Sequence, residues 1–254
     1  MAFTLVKRLL IVSLLSLGLM FAKSSFACSA TLKVSVAKDW PPYSYLEGDR
    51  YKGLDIEILE LLLKKAELCW DYVAYPSSAR AFKELKHQRL DLIFAASWSA
   101  ERAEFLHYSS PYRHESMILF KGIGQNKRFD FTKESSIALN RGSFYGQKFA
   151  DYSSRCPDCI VPVNTTYQRF VLLKNHRVDF SIEDELTGTY ALHRNHLADV
   201  IKATDDVIYS NNVHFVLARN EKGQGIRDKL NLLISKLDVD IGRIIVKYKH
   251  GFAH

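Results

Sequence analysis

Residues 85–93 read LKHQRLDLI and residues 173–181 read LKNHRVDFS, so both follow the pattern L-K-x-x-R-h-D-h, where h is apolar. The similarity extends upstream, where Ser77-Ser78 aligns with Thr165-Thr166. Serine and threonine are favourable residues for the start of a helix, and cations are favoured near its carboxyl end. We therefore predict the same helix–turn–strand unit twice, each time with the aspartate at the start of a buried strand, and two α/β lobes of similar build.

Segments typical of strands and helices alternate along the chain around this repeat. The predicted strands are 31–37, 70–75 and 91–95, and the predicted helices between them are 54–63 and 79–87. Such alternation indicates a mainly parallel sheet covered by helices. Two further helical stretches lie between Ile226 and Tyr248, and we expect them to pack back on the first lobe.

Polar side chains stand where each repeated strand ends. The carboxyl end of the first repeated strand leads into Ala95-Ala96-Ser97-Trp98, with Arg102 five residues after Ser97, and that of the second leads into Glu183-Asp184-Glu185. Ligands of open α/β sheets bind beyond the carboxyl ends of the strands, so two facing lobes place these groups on opposite walls of one cleft. Arginine binds a carboxylate through two parallel hydrogen bonds, and aspartate pairs with an ammonium. The pattern therefore favours a zwitterionic ligand.

Simpler structural roles remain open for both charged residues. Arg102 could lie on the surface of a short helix, and Asp184 could begin the next helix as its N-cap. His193 and His196 have a spacing that could bind a metal, but a solvated helix face is the preferred interpretation because no acidic or thiol partner accompanies them. The chain has no H-E-x-x-H, no G-x-S-x-G and no phosphate-binding glycine loop, so we expect no metal and no cofactor.

The first 27 residues predict an export signal that is not part of the fold. Lys7 and Arg8 precede an apolar run over residues 9–22, and Ser25-Phe26-Ala27 is typical of a cleavage site. The run is shorter than the ~20 residues that a membrane-spanning helix needs. We expect a periplasmic protein, with a lipid anchor on Cys28 as the less favoured alternative.

Charge does not support a polyanion partner. The 254 residues carry 35 Lys+Arg and 28 Asp+Glu, a formal charge of +7 that could suit a nucleic acid or a membrane surface. Three of the positive residues belong to the predicted signal, so the mature chain carries +4 over 227 residues. Charges of both signs are mixed along the chain, and we expect no nucleic-acid partner.

Four cysteines remain after the predicted cleavage, and an even number in an exported chain favours disulfides. Cys156 and Cys159 are predicted to form a small disulfide, because no second C-x-x-C completes a zinc site. Cys28 and Cys69 each precede a predicted strand. If these strands are parallel neighbours, their starts lie close together, and we expect a Cys28–Cys69 disulfide.

Six short motifs follow one another in an order that carries a family resemblance. They are DWPPYSY (39–45), GLDIE (53–57), the segment from DLI to SWSAER (91–102), YSSPY (108–112), RGS (141–143) and RVD with Asp184 (177–184). Together they resemble the periplasmic solute-binding proteins for polar amino acids, known as family 3. The resemblance covers residues 31 to 250.

The resemblance implies a two-lobed α/β fold of the type II periplasmic-binding-protein class. Each lobe would hold a mostly parallel sheet flanked by helices, with the ligand cleft between the lobes. The first lobe would comprise residues 28–116 and 215–254, and the second lobe residues 117–214, after the signal peptide of residues 1–27.

The resemblance also implies roles for the polar residues of the cleft. Arg102 would hold the ligand carboxylate, helped by Ser97 and by the backbone around Ser143. Asp184 would take the ammonium group.

Three more positions are implied to contact the ligand side chain. Trp40 would pack on it, and Tyr43 belongs to the same aromatic turn, although both could be core aromatics instead. Ser78 stands where many members of the family carry an aromatic clamp, so that wall would be open. Ala37 stands where members that bind basic amino acids carry an aspartate, which disfavours lysine or arginine as the ligand.

These observations predict a monomeric binding protein without chemistry. It would capture an amino acid or a related zwitterion and present it to an ABC permease. Two alternatives remain open. One is an enzyme on the same fold, similar to cyclohexadienyl dehydratases, in which Glu183, Asp184 or Glu185 acts as acid or base. The other is a detached sensor module for a membrane receptor. The residues do not name the ligand.

Overall fold

An eight-stranded mixed sheet is the frame of the protein, whose computed structural model describes residues 31–141 and 143–251. The strands of this sheet are β1 (Thr31–Val36), β5 (Cys69–Ala74), β6 (Leu92–Ser97), β7 (Leu106–Gly122), β8 (Ile137–Asn140), β9 (Ile160–Val163), β10 (Phe180–Asp184) and β11 (Ile201–Ala218). A small antiparallel sheet joins β2 (Asp39–Trp40), β3 (Ser44–Glu47) and β4 (Arg50–Lys52).

Helices cover the large sheet. They are α1 (Leu54–Lys65), α2 (Ser78–Lys86), α3 (Ala100–Ala103), α4 (Gln147–Arg155), α5 (Thr166–Lys174), α6 (Glu185–Arg194), α7 (Glu221–Lys236) and α8 (Asp238–His250). Helices α7 and α8 pack on α1, as predicted for the carboxyl-terminal helices. Among the described residues, no helix is both long enough and apolar enough to cross a bilayer.

The strand order β5-β1-β6-β11-β7-β10-β8-β9 divides the molecule into two lobes. The three strands at each end are parallel to one another, and the long antiparallel strands β7 and β11 run between the two groups. The α/β architecture predicted from the alternating segments is confirmed. The predicted boundaries at residues 116/117 and 214/215 fall inside β7 and β11 and stay predictions.

The repeated sequence forms the same unit in both lobes, as predicted. In the first lobe α2 leads to β6, and in the second α5 leads to β10. Each turn contains a residue in the left-handed conformation, Gln88 with φ 57° and His176 with φ 54°. The backbone hydrogen bonds around these two residues follow the same pattern. Equivalent sequence therefore gives equivalent geometry 88 residues apart.

The aspartate of each repeat anchors the neighbouring strand. Asp91 accepts a hydrogen bond of 2.8 Å from the N–H of Lys33, in β1. Asp179 accepts one of 2.8 Å from the N–H of Ser136, which directly precedes β8. The spacing that the two repeats share therefore aligns each inner strand with its parallel neighbour.

Helix α1 presses the turn before β3 into the core of the first lobe. Gly53 precedes the helix with φ 128°, and a Cβ at this position would lie 2.3 Å from the carbonyl oxygen of Tyr43. Only glycine allows the two backbones to approach so closely. The N–H of Asp55 donates to the same Tyr43 oxygen at 3.0 Å. This contact buries Tyr43 and fixes the direction of its side chain.

The predicted signal peptide and the predicted Cys28–Cys69 disulfide both involve the amino-terminal residues. The signal peptide of residues 1–27 lies outside the described residues, and so does Cys28. β1 and β5 are parallel neighbours with Thr31 opposite Cys69, which is the arrangement required for the predicted Cys28–Cys69 bridge. Cys69 is disulfide-bonded. Cys156 and Cys159 are joined by a disulfide.

Candidate functional site

A cleft of about 890 Å³ lies between the lobes at the carboxyl ends of the strands. Ser97 at the end of β6, Asn140 at the end of β8 and Asp184 at the end of β10 all line it. The sheet order explains this position, because parallel strands of one lobe direct their carboxyl ends to one edge. Five of the seven predicted ligand-binding residues line this cleft: Trp40, Ser97, Arg102, Ser143 and Asp184.

The first-lobe wall presents a hydroxyl and a guanidinium. Ser97 accepts a hydrogen bond of 2.6 Å from the side-chain amide of Asn211, which holds its hydroxyl in place. Arg102 lies in the short helix α3, and its guanidinium carbon lies 4.1 Å from the centre of the Phe82 ring. The cation therefore lies over the aromatic face of Phe82, and Arg102 also lines the cleft.

The second-lobe wall presents the carboxylate of Asp184. This residue is the N-cap of α6, and its Oδ1 accepts a hydrogen bond of 2.9 Å from the N–H of Thr187. The same Oδ1 accepts a hydrogen bond of 2.8 Å from the hydroxyl of Tyr43 in the first lobe. Both of the roles considered for Asp184, N-cap and cleft residue, are therefore present in one side chain.

Burial determines the electrostatics of Asp184. Removal from water raises its pKa from 3.8 to about 6, although the N–H of Thr187, the charge of Arg113 and the hydroxyl of Tyr43 act in the opposite direction. Burial and the nearby Asp184 carboxylate raise the pKa of Tyr43 well above its ordinary value. Tyr43 therefore stays protonated and acts as the donor in the bond between the lobes.

Tyr43 and Ser78 are not among the residues that line the cleft. Tyr43 is buried behind Asp184, and its ring lies against Trp40 at 4.7 Å and against the Arg113 guanidinium at 4.1 Å. Ser78 begins α2 and lines a neighbouring cavity of about 340 Å³, to which Trp40 also contributes. Of the two aromatics in the turn, only Trp40 reaches the cleft.

Ser143 follows β8 on the second-lobe wall. Its hydroxyl accepts a hydrogen bond of 2.8 Å from the side chain of Asn140, which also lines the cleft. The resemblance implied a role for the backbone around this residue, and the structure places that segment on the cleft wall.

Sequence reasoning missed two buried ion pairs. Arg113 binds both carboxylate oxygens of Asp55, at 2.7 and 2.9 Å, directly behind Tyr43. Arg169 pairs with Glu183 on the wall of the cleft, while its Nε and Nη1 are buried without a hydrogen-bond partner. Helical periodicity contained a signal for Arg169, because it shares the buried face of α5 with Phe170 and Leu173.

Comparison with known proteins agrees with this geometry. The family model described as bacterial extracellular solute-binding proteins, family 3, matches residues 32–249. The probable amino-acid-binding protein YxeM of Bacillus subtilis is 24% identical over 205 residues, which is 78% of this chain and 75% of that protein. The ABC transporter arginine-binding protein 1 of Escherichia coli is 23% identical over 235 residues, covering 89% of this chain and 93% of that protein.

A solved structure confirms the fold class. A histidine kinase sensor domain with similarity to periplasmic binding proteins aligns with a TM-score of 0.69 at 16% identity. The alignment covers 86% of this chain and 95% of that domain. The predicted two-lobed fold of the type II periplasmic-binding-protein class is therefore correct.

Proposed function

Since the chain belongs to family 3 of the bacterial extracellular solute-binding proteins, we propose that it captures an amino acid or a related zwitterion between its two lobes. The protein binds its ligand without chemical change. It acts as a monomer in the periplasm, after export by the amino-terminal signal.

Opposite charges on facing walls are the observation that carries this proposal. Arg102 and Asp184 come from different lobes and line the same cleft. A ligand with both a carboxylate and an ammonium pairs with both residues only when it bridges the lobes. The free energy of binding then favours the closed arrangement, which distinguishes the loaded protein from the empty one.

The hydrogen bonds of Asp184 leave room for an ammonium. Tyr43 and Thr187 both donate to Oδ1, and no hydrogen bond to Oδ2 is found within the described ranges. An incoming ammonium can therefore use Oδ2 without displacing either existing donor. A cation at this position also lowers the pKa of the carboxyl group and favours its charged form.

Delivery to an ABC permease is the first candidate for the step after binding. The arginine-binding relative named above is a component of an ABC transporter. Beyond strands β7 and β11, the lobes touch where Leu186 of α6 packs in the core of the first lobe. Closure around a ligand changes these contacts. A permease that contacts both lobes can therefore distinguish the closed, loaded protein from the empty one.

A sensor role is the second candidate, and the likeness to a kinase sensor domain favours it. The binding step is the same in both cases, but the partner of the closed form is a membrane receptor. Co-purification of the loaded protein with a membrane fraction, followed by identification of the partner, separates the two. An enzymatic role would use the pKa of Asp184 near 6, and turnover of a bound candidate ligand would support it over both.

Binding itself is tested by calorimetry of the full chain against a panel of amino acids. We expect one or more to bind, and Arg102→Ala to weaken the best ligand at least about tenfold because charge-assisted bonds to its carboxylate are lost. Asp184→Asn should weaken ligands that carry an ammonium more than their deaminated analogues. Arg80→Ala, at an exposed arginine in α2, is the matched control and should leave affinity unchanged. Unaltered binding by both cleft variants would refute the site.

A further inference from the structure

Three exposed aromatic side chains line the cleft. Neither the binding of charged ligand groups nor packing in the core accounts for their position. Trp98, Phe144 and Tyr167 are 59%, 63% and 56% exposed, and all three line the cleft. Every other Phe, Tyr and Trp within residues 31–141 and 143–251 is buried or half-buried. We call Trp98, Phe144 and Tyr167 the aromatic rim.

The aromatic rim belongs to both walls of the cleft. Trp98 lies in the first lobe, between β6 and α3, four residues before Arg102. Phe144 and Tyr167 lie in the second lobe, before α4 and in the first turn of α5. A group that enters the cleft therefore meets aromatic side chains from both lobes.

The structure holds Phe144 away from the core. The next side chain, Tyr145, points inward, and its hydroxyl accepts a hydrogen bond of 3.0 Å from the N–H of Asn140. Phe144 then meets the ring of Tyr209 edge-on, with ring centres 5.8 Å apart. Gly146, with φ 81°, makes room for this, because a Cβ there would lie 2.8 Å from the Tyr209 ring.

Tyr167 is held in a comparable way. A capping box between Thr165 and Gln168 fixes the first turn of α5. Arg169, Phe170 and Leu173 form the buried face of that helix, whereas Tyr167 in its first turn is exposed. The exposure of Phe144 and Tyr167 thus follows from neighbours that are anchored.

Large aromatic side chains left in water at one place mark a surface that something covers. Aromatic rings gain most from another flat ring, through offset or edge-on stacking. Trp98 follows directly after Ser97 and lies in the same segment as Arg102, the candidate carboxylate ligand. A ligand whose carboxylate pairs with Arg102 can therefore bring a compact ring to Trp98 within the same cleft.

From this placement we propose that the ligand carries a flat aromatic ring together with its carboxylate, and that the aromatic rim clamps the ring when the lobes close. The inference rests on the proposed function and specifies its substrate class. Aromatic amino acids are the zwitterionic members of this class. Aromatic carboxylates that lack an amino group share the ring and the anion, but they do not use Asp184.

The test uses the full chain and measures Kd by calorimetry for phenylalanine, tyrosine, tryptophan, cyclohexylalanine, alanine, glutamate and phenylacetate. Cyclohexylalanine keeps the zwitterion and the bulk of phenylalanine but has no flat ring. We expect an aromatic member to bind tightest, at least about tenfold more tightly than cyclohexylalanine, because stacking is worth on the order of one tenfold step in affinity. The comparison with phenylacetate separates aromatic amino acids from aromatic acids in general.

Variants of the aromatic rim then assign the preference to this surface. Trp98→Ala and Phe144→Ala should each reduce the preference for the ring to about twofold, and Trp98→Phe should retain most of it. Leu46→Ala, at an exposed apolar side chain that does not line the cleft, should leave every Kd unchanged. Thermal unfolding of each variant verifies that the fold is intact, as expected for such exposed positions.

Distinct results separate this inference from the function on which it rests. If alanine or glutamate binds tightest and Arg102→Ala abolishes that binding, the amino-acid function stands and the aromatic clamp is wrong. A ring preference that survives both alanine variants also overturns the clamp. If none of these seven compounds binds, the aromatic clamp is wrong, while the amino-acid function is decided separately by the wider panel of amino acids. Loss of membrane association without any change in Kd would assign the aromatic rim to a protein partner instead.

Discussion

Asp91 in the first lobe and Asp179 in the second accept the N–H of the neighbouring chain segment at the same distance, 2.8 Å. The strands that follow these two aspartates end differently. β6 ends at the neutral hydroxyl of Ser97, whereas β10 ends at the carboxylates of Glu183 and Asp184. The scaffold is thus repeated while the chemistry is not. Each lobe has an equivalent aspartate that anchors its strands. The residues that face the cleft differ between the lobes, so the two walls differ in charge.

The buried ion pairs of the two lobes show the same contrast. Asp55 and Arg113 form a two-fold hydrogen-bonded pair whose side chains are 0% and 2% exposed. Arg169 and Glu183 also form a buried pair, but Arg169 leaves two of its nitrogens unpartnered and lines the cleft. We interpret the first pair as structural support for Tyr43, and the second as part of the cleft wall.

The largest expected effect is the loss of the first-lobe pair. Asp55→Ala removes both short bonds to the buried Arg113 and leaves it only the longer, 3.4 Å contact with Glu115, which should lower the free energy of unfolding by about 3 to 4 kcal/mol. Glu57→Ala, in the same helix, removes the more exposed pair with Lys247 and should cost less than about 1 kcal/mol. Urea denaturation measures both values. Equal costs for the two variants would show that the Asp55–Arg113 pair is not a structural anchor.

The second prediction concerns the pH dependence of stability, which distinguishes the ends of β6 and β10. The hydroxyl of Ser97 does not titrate between pH 4 and 7.5, whereas the carboxyl group of Asp184 does. Burial raises the pKa of Asp184 from 3.8 to about 6, so between these values the folded protein binds more protons than the unfolded one. The charged carboxylate therefore destabilises the fold above pH 6, and this cost disappears as pH falls through 6 towards 4. Its full size is about 3 kcal/mol.

Asp184→Asn isolates this effect from every other titrating group. The stability of the variant relative to the wild type should be about 3 kcal/mol more favourable at pH 7.5 than at pH 4. Denaturation curves at a series of pH values measure the difference. A difference that does not change with pH would mean that Asp184 is solvated in the folded protein.

Local sequence was sufficient to predict the repeated units and the carboxyl ends of their strands. The spacing of Arg89 and Asp91, repeated at Arg177 and Asp179, predicted two equivalent units, and the observed elements agree within a few residues. Arg102 and Asp184 followed from the same reasoning, since strand direction determines where a strand ends.

Contacts between distant segments were not accessible in this way. Asp55 and Arg113 are 58 residues apart, and Tyr43 and Asp184 are 141 apart. No periodicity links such partners, because their meeting depends on how the lobes pack. The resemblance implied that Tyr43 contacts the ligand, with a core position as the open alternative, and its observed position behind Asp184 depends on Gly53 and α1.

The third prediction tests whether the two repeats are equivalent. Asp179→Ala removes hydrogen bonds from both the N–H and the hydroxyl of Ser136, and should cost about 2 kcal/mol. Asp91→Ala removes the N–H bond from Lys33 and should cost about 1 kcal/mol. Each aspartate also loses one lysine partner at the surface, which adds little. Denaturation midpoints measure both changes, and a larger cost at Asp91 would contradict the shared role.

The smallest expected effect compares a hydrogen bond between the lobes with one inside a lobe. Tyr43→Phe removes the 2.8 Å bond to Asp184, and Tyr112→Phe removes an equally short bond to Asp55 within the first lobe. Tyr43→Phe should cost about 1 kcal/mol. It should also raise the pKa of Asp184 further, because the Tyr43 hydroxyl favours the charged carboxylate.

Tyr112→Phe should cost more, since it also leaves the N–H of Ala95 without its partner, but it should not change the titration of Asp184. NMR titration of the Asp184 carboxyl distinguishes the two variants. If both variants move that titration equally, the Tyr43–Asp184 bond is not a specific link between the lobes, and the network around Asp55 and Asp184 behaves as one unit.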